Sequence, residues 1–401
     1  MLSKILFRRP ARLLARTAAS FSTEVPAVAA AAAAAPTGPV STSVIAEHSI
    51  AQVNIKYTDV NKFFALTDEQ IKKHFPSGLP KRIKEMFELV EPNKHFMLRK
   101  PVATILSAMS SKFRPMSRRL GSDASMIALL DFPESWPERW PEKAFVLDGE
   151  HGSLSSVSLI QIVTFARENG WIVLHVPHAR SWTHDAPYVT KAAYHEGKFD
   201  IDVVGADILK QVLRWDFTDI QSHLRYTSEY NKGDLTLLDI CESGLKDELL
   251  TCKAVLDLKA ELAEVTEFPV LIAIDEYNTW FHKTVFGYEG VPVKAEDITI
   301  VDAFRDVDAT GYRVDRKLKN GLFIAATTEN YPTKNEFSKQ ASYKRVRKLL
   351  HPYTPEELTS LVDYFHAINF RQSKYSEKDV VFLRLMSKGV PLKVFKQASV
   401  L

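Results

Sequence analysis

Cysteine is almost absent from this chain of 401 residues; Cys241 and Cys252 are the only two. Two thiols cannot frame a disulfide scaffold, and their spacing matches no zinc motif. No run of eighteen apolar residues occurs, so no membrane-spanning helix is expected. The Gly-x-Ser-x-Gly elbow of a serine hydrolase is missing. His175 and His178 lie three apart with no obvious further ligands, so no metal centre is expected. What remains is ordinary for a globular protein, with 45% hydrophobic and 25% charged residues and length for two or three domains.

Acid is missing from two stretches, and each absence carries information. The first 23 residues hold Lys4, Arg8, Arg9, Arg12 and Arg16 and no Asp or Glu. Leu2, Ile5, Leu6, Leu13 and Leu14 are mixed among them, and Ser and Ala follow. That is the composition of a mitochondrial transit peptide, predicted over 1–23, and it implies the matrix. Of 52 basic residues, 47 follow it and face 49 acids. A mature chain of net charge −2 cannot coat nucleic acid by bulk charge, so any RNA contact must come from local patches. Two such patches stand out. Between Pro92 and Ser122 there is no acid, but there are Lys94, Arg99, Lys100, Lys112, Arg114, Arg118 and Arg119. A second patch runs from Lys339 through Lys344, Arg345, Arg347 and Lys348. Both are candidate phosphate-backbone contacts; the competing reading is a solvated basic face.

The centre of the chain has an incomplete motif. In AFVLDGEHGSLSSVSL, Ala144 to Leu159, an apolar run meets a turn punctuated by Gly149 and Gly152, and a helical pattern opens at Ser156. Strand, glycine-rich turn and helix are the order of a P-loop, whose bare backbone N–H groups hold phosphates. The second motif glycine is here Leu154, the lysine slot is Ser155, and Ser156 keeps the hydroxyl slot. Downstream, FPVLIAIDEYN ends an apolar strand in Asp275 and Glu276. An acid at such a strand end holds Mg²⁺, and a second one polarises the attacking water; the competing reading is a turn cap. LFIAATTEN ends another strand in Thr327, Thr328 and Asn330, either phosphate-sensing groups or ordinary turn formers.

Periodicity predicts the architecture. Strands are expected at Phe145–Leu147, Trp171–Val176, Phe268–Ile274 and Leu322–Ala326. Helices are expected at Ser156–Glu168, Asp207–His223 and Lys246–Glu264. Near-continuous apolar strands between helices mean a parallel sheet covered on both faces, here a three-layer α/β/α P-loop (AAA+-like) domain over 143–340. An Ala/Pro-rich linker is expected over 24–48, with Ala27 to Ala35 at its heart. A basic, mainly helical extension is expected over 49–142, with a Trp136/Trp140 connector near its end. No strand is expected after Lys339. A capping box at Thr354–Glu357 with Pro355 opens a helix to about Ile368. Another, near Ser376 to Ser387, completes a helical subdomain over 341–401.

Several blocks occur together in order: FPSGLP at Phe75–Pro80, MLRKP at Met97–Pro101, the turn at Leu147–Leu159, GWIVLHVPHARSWTHD at Gly170–Asp185, LIAIDEYNTWF at Leu271–Phe281 and YTPEEL…YF at Tyr353–Phe365. Over roughly residues 60–400 the chain resembles the mitochondrial small-subunit ribosomal proteins of the death-associated protein three family. The resemblance implies an ATPase-like α/β fold in the head of that subunit. Its implied neighbours are mitochondrial small-subunit rRNA, other ribosomal proteins and large-subunit bridge proteins. It also implies a bound GTP or ATP with Mg²⁺. Gly149, Gly152, Ser153, Ser156 and Asp275 match the family's nucleotide positions. Leu154 and Ser155 replace its Gly-Lys pair, and Glu276 lies outside its pattern. A structural role with a vestigial pocket and no hydrolysis is therefore expected. The alternative is an active mitochondrial ATPase or GTPase serving assembly, with Lys253 or Lys283 supplying the missing cation.

Overall fold

Five short segments line up side by side as one all-parallel sheet in a computed structural model of the chain. They are β1 (Ala144–Asp148), β2 (Ile172–Val176), β3 (Val270–Ile274), β4 (Gly321–Ala326) and β5 (Arg347–Leu349), in the order β5-β1-β4-β3-β2. Phe323 pairs with Ala144, Gly321 with Val270, Ile172 with Val270 and Arg347 with Val146. The structure describes residues 44–51, 55, 57–76, 78–112, 143–214, 225–226, 235–266, 268–308, 311–329, 343–370 and 375–398. The expected transit peptide, most of the linker, Arg114, Arg118, Arg119, Trp136, Trp140, Asn330 and Lys339 lie outside these, as does the Lys112 side chain.

The strands are apolar throughout because both faces of the sheet are covered. Alternate residues feed two separate cores. Phe145, Leu147, Leu271, Ala273, Leu322 and Ile324 face one, and Val146, Ile272, Ile274, Phe323 and Ala325 face the other. Helices cover each face, so the expected α/β architecture with a parallel sheet is present.

On the first face, helix α4 (Ser155–Glu168) is buried continuously from Val157 to Ala166. No amphipathic stripe is visible in its sequence, because it lies between the sheet and the N-terminal extension. Helix α3 (Lys100–Lys112) packs on its outer side. The Gln161 side chain donates to the Met97 carbonyl at 3.1 Å, tying that extension down. The extension also holds α1 (Asp68–His74), α2 (Lys81–Leu89) and a two-stranded antiparallel ribbon, Phe63–Ala65 with His95–Met97. On the second face lie α6 (Asp202–Arg214), α7 (Leu237–Lys246) and α8 (Thr251–Glu264). Trp280, Tyr277 and Phe304 fill the space beneath them.

Several expectations need correction. The helix expected over Lys246–Glu264 begins at Thr251, after a single 3-10 turn at Glu248–Leu250. A fifth strand, β5, follows Lys339. It has no apolar run, being Arg-Lys-Leu, and works because it is an edge strand, where charged side chains are tolerated and useful. The Thr354 capping box forms as expected and starts α11 (Pro355–Ala367), after α10 (Tyr343–Val346). The helix expected near Ser376 to Ser387 is α12 (Glu377–Ser387), and the chain does not stop being helical there. Pro391 instead opens a further helix, α13 (Pro391–Ala398), since proline suits the first helical position. Among the described residues, no helix is long and apolar enough to cross a membrane.

Candidate functional site

The strands end at one edge of the sheet, and a cleft of about 250 Å³ lies there. Such an edge, where the order of strands reverses, is where open α/β sheets bind ligands. The loop from β1 to α4 forms its floor. Gly149 is confined, since a Cβ there would lie 2.4 Å from the Ser153 hydroxyl and 2.9 Å from the Leu350 carbonyl oxygen. Gly152 has φ +91°, and a Cβ there would meet Leu392 of α13 at 2.9 Å. The Leu392 N–H donates to the Gly152 carbonyl at 3.1 Å. Leu154 occupies the left-handed region at φ 66°, a conformation that disfavours a β-carbon by about 1–2 kcal/mol. The backbone there takes a conformation that glycine adopts more readily than leucine.

Gly149, Gly152, Ser155, Ser156 and Asp275 all line the cleft. Ser153 does not; it is buried beneath the loop, where its N–H donates to the Glu150 carbonyl. Ser155 turns its hydroxyl to the Thr327 carbonyl at 3.2 Å. The Ser156 hydroxyl bonds to the Asp275 carboxylate. Asp275 is 4% exposed. Its Oδ1 accepts from the Glu276 N–H at 2.8 Å. Burial pushes its pKa up to about 7, against the pull of the Ser156 bond. A buried carboxylate beside a hydroxyl and lacking a cation matches the donor set of a hydrated Mg²⁺.

Glu276 has a structural employment that its sequence context did not suggest. It sits at φ 58° and its carboxylate accepts from the Arg180 backbone N–H. That caps α5 (Ala179–His184), whose first residue has no side-chain cap of its own. Burial raises the Glu276 pKa, and His178, 4.0 Å away, opposes the rise. Thr327 donates to Asp148 at 2.6 Å, and Asn278 exchanges two 2.8 Å hydrogen bonds with the Thr328 backbone. The Thr327 hydroxyl is therefore committed to Asp148, whereas Thr328 is held by its backbone, and both residues line the cleft. Glu329 accepts from the His151 N–H of the loop.

The two cations proposed from sequence to replace the loop lysine are not at the cleft. Lys253 pairs with Asp257 on α8, and Lys283 begins a peripheral hairpin strand. Among the described residues, the cations lining the cleft are Lys81 and Arg82 at the start of α2. Arg82 Nη1 lies 3.3 Å from His151 Nε2. No local motif could have revealed this, because those positions are 69 residues apart in the chain.

The basic patches divide differently from their sequence reading. Arg99 is 5% exposed. It bonds Glu357 at 2.8 and 3.1 Å and the His351 carbonyl at 2.7 Å. It is a buried tie between the extension and α11. Arg347 is also committed, its Nε lying 2.6 Å from Asp148. Lys94 pairs with Asp68 at 2.6 Å. Lys348 lies half-buried over the Phe145 ring. Lys100, Lys344 and Arg345 are exposed.

Bovine (Bos taurus) small ribosomal subunit protein mS29 is 21% identical over 360 residues, covering 82% of each chain. Its mouse (Mus musculus) counterpart is 24% identical over 248 residues, covering 57% of this chain and 62% of the mouse protein. The family model described as mitochondrial ribosomal death-associated protein 3 matches residues 134–396, a span that contains the whole sheet, the cleft loop and the C-terminal helices. With a match over more than half its length, the chain belongs to the mitochondrial ribosomal death-associated protein 3 family.

Proposed function

We propose that the chain is a structural component of the small subunit of the mitochondrial ribosome, in the matrix, holding a nucleotide pocket that does not turn over. It would stand in the subunit's head, against rRNA and neighbouring proteins, with large-subunit bridge proteins in reach. The observation that carries the reading is the family match over the sheet and cleft, together with relatives named as small ribosomal subunit proteins. The basic N-terminal segment supports delivery by a transit peptide.

The pocket reading rests on the loop. Strand order β5-β1-β4-β3-β2 puts one strand between β1, which feeds the loop, and β3, which ends in Asp275. That order supports the reading of a P-loop domain of the AAA+ type. Ser156 and Asp275 would hold Mg²⁺, which would neutralise phosphate oxygens. Turnover is a different matter. Ser155 offers no charge to the transferring phosphoryl group, and preorganised charge there supplies most of the catalysis. Glu276, the residue that would polarise water, is engaged in capping α5. We expect the purified chain to release no phosphate from ATP or GTP above background. Turnover abolished by Asp275→Asn would instead establish the ATPase or GTPase alternative.

Exposed Lys344 and Arg345 are the described cations best placed for RNA phosphates. The double substitution Lys344→Gln/Arg345→Gln should weaken incorporation into the small subunit. It should also lower the salt dependence of RNA binding by up to about two counterions. Gradient sedimentation of a matrix lysate tests both statements. A wild-type chain found mainly as a free soluble pool would defeat the ribosomal reading. Normal assembly of the variant at every salt concentration would defeat the RNA assignment alone.

A further inference from the structure

The loop that should carry a lysine has none, yet the cleft is not without positive charge. We propose that Arg82, reaching in from α2 on the opposite wall, is the cation that this pocket uses to hold the polyphosphate of a nucleotide. This rests on the pocket reading above and adds the residue that makes binding workable.

Three independent observations converge on Arg82. It lines the same cleft as Gly152, Ser155 and Ser156. Its Nη1 is 3.3 Å from Nε2 of His151, a residue inside the phosphate loop itself. A guanidinium only donates, so His151 must accept through Nε2 as the neutral imidazole. The surroundings agree, since burial and the nearby Arg82, Lys396 and Lys393 all hold the His151 proton affinity down. His151 thus acts as a rest that keeps the guanidinium at the loop. Third, α2 begins at Pro80 with no side-chain cap, and Pro80 also lines the cleft. The positive end of a nine-residue helix therefore points the same way as its second side chain.

The chemistry suits the task. Guanidinium is planar and permanently charged, and grips two phosphate oxygens at once. A loop lysine approaches the phosphates from the start of α4; Arg82 would approach them from above. The exchange retains binding without restoring the charge to the place where a transferring phosphoryl group needs it. It also gives the N-terminal extension a second use, as one wall of the site.

The full-length chain would be titrated with mant-GTP and mant-ATP in the presence of Mg²⁺, following fluorescence anisotropy. Arg82→Ala should weaken binding by on the order of 10–100-fold, the usual yield of a charge-assisted bond. Adding Ser155→Lys to that variant should restore affinity to within a few-fold. Lys84→Ala, which removes a charge from the same helix away from the cleft lining, should change it little. Arg82 is exposed on α2, so truncation spares the core, and an unchanged melting temperature checks this. Wild-type and Arg82→Ala chains that bind equally well would overturn the assignment while leaving the pocket intact. A wild-type chain that binds neither nucleotide would overturn the pocket reading, and Arg82 with it.

Discussion

Arg99→Ala should destabilise the chain by about 3–5 kcal/mol, the range for removing one partner of a buried ion pair. Arg99 and Glu357 are both about 5% exposed, and their two hydrogen bonds join segments 258 residues apart. Glu357 has a second duty, since its Oε2 accepts from the Thr354 N–H at 2.9 Å and closes the capping box of α11. Truncating Arg99 leaves that carboxylate buried without its cation and leaves the His351 carbonyl without its donor. The guanidinium also lies 5.1 Å from the Tyr353 ring centroid, so packing is lost as well as charge. Urea unfolding at neutral pH should show a lower midpoint with an unchanged slope. Replacing the pair together, as Arg99→Met/Glu357→Leu, should recover only part of the loss, because the apolar pair removes the stranded charge but not the lost Thr354 cap and His351 bonds. An unaltered midpoint with weakened RNA binding would return Arg99 to the RNA-contact patch from which burial removes it.

Asp275→Asn should have the opposite sign. Burial raises the Asp275 pKa from 3.8 to about 7. A carboxyl group whose folded pKa lies above its unfolded one keeps its proton longer in the native state. Native stability therefore falls as pH rises from about 4 to about 7. Asparagine is neutral throughout and escapes this penalty. At pH 8 the variant should be more stable by on the order of 2–4 kcal/mol, and the two proteins should converge near pH 4. The gain should be accompanied by weaker Mg²⁺-dependent nucleotide binding, as expected where a site stores unfavourable charge for its ligand. Equal stability curves across that pH range would show that the carboxylate is better solvated than its 4% exposure implies.

The parts legible in the sequence were those with a local cause. Four of the five sheet strands could be read because burial on both faces demands unbroken apolar runs, as in Val270–Ile274. The α11 start was legible because Thr354, Pro355 and Glu357 do their capping within four residues. The loop at Gly149–Ser156 was recognisable from residue spacing, whereas the left-handed backbone of Leu154 was not. What escaped has its cause elsewhere in the chain. β5 carries Arg-Lys-Leu, and its place in the sheet depends on β1 offering an open edge and Asp148 a partner for Arg347. α4 could be recognised as a helix, but its unbroken burial from Val157 to Ala166 follows from the extension that packs over it.

Charge shows the division most clearly. The sequence alone was enough to expose an acid-free N-terminal segment and to predict a parallel α/β sheet, because these rest on composition and period, and its ordered motifs resemble those of a ribosomal family. It could count the basic residues of 92–122 and 339–348, but not say what each one meets. Only the tertiary structure decided that Arg99 is an internal tie, that Arg347 answers Asp148, that Glu276 caps a helix and that Arg82 stands over the loop. The physical reason is range: a strand or a cap is stabilised by neighbours a few residues away, whereas a charge takes its meaning from whichever groups folding brings within a few ångströms of it.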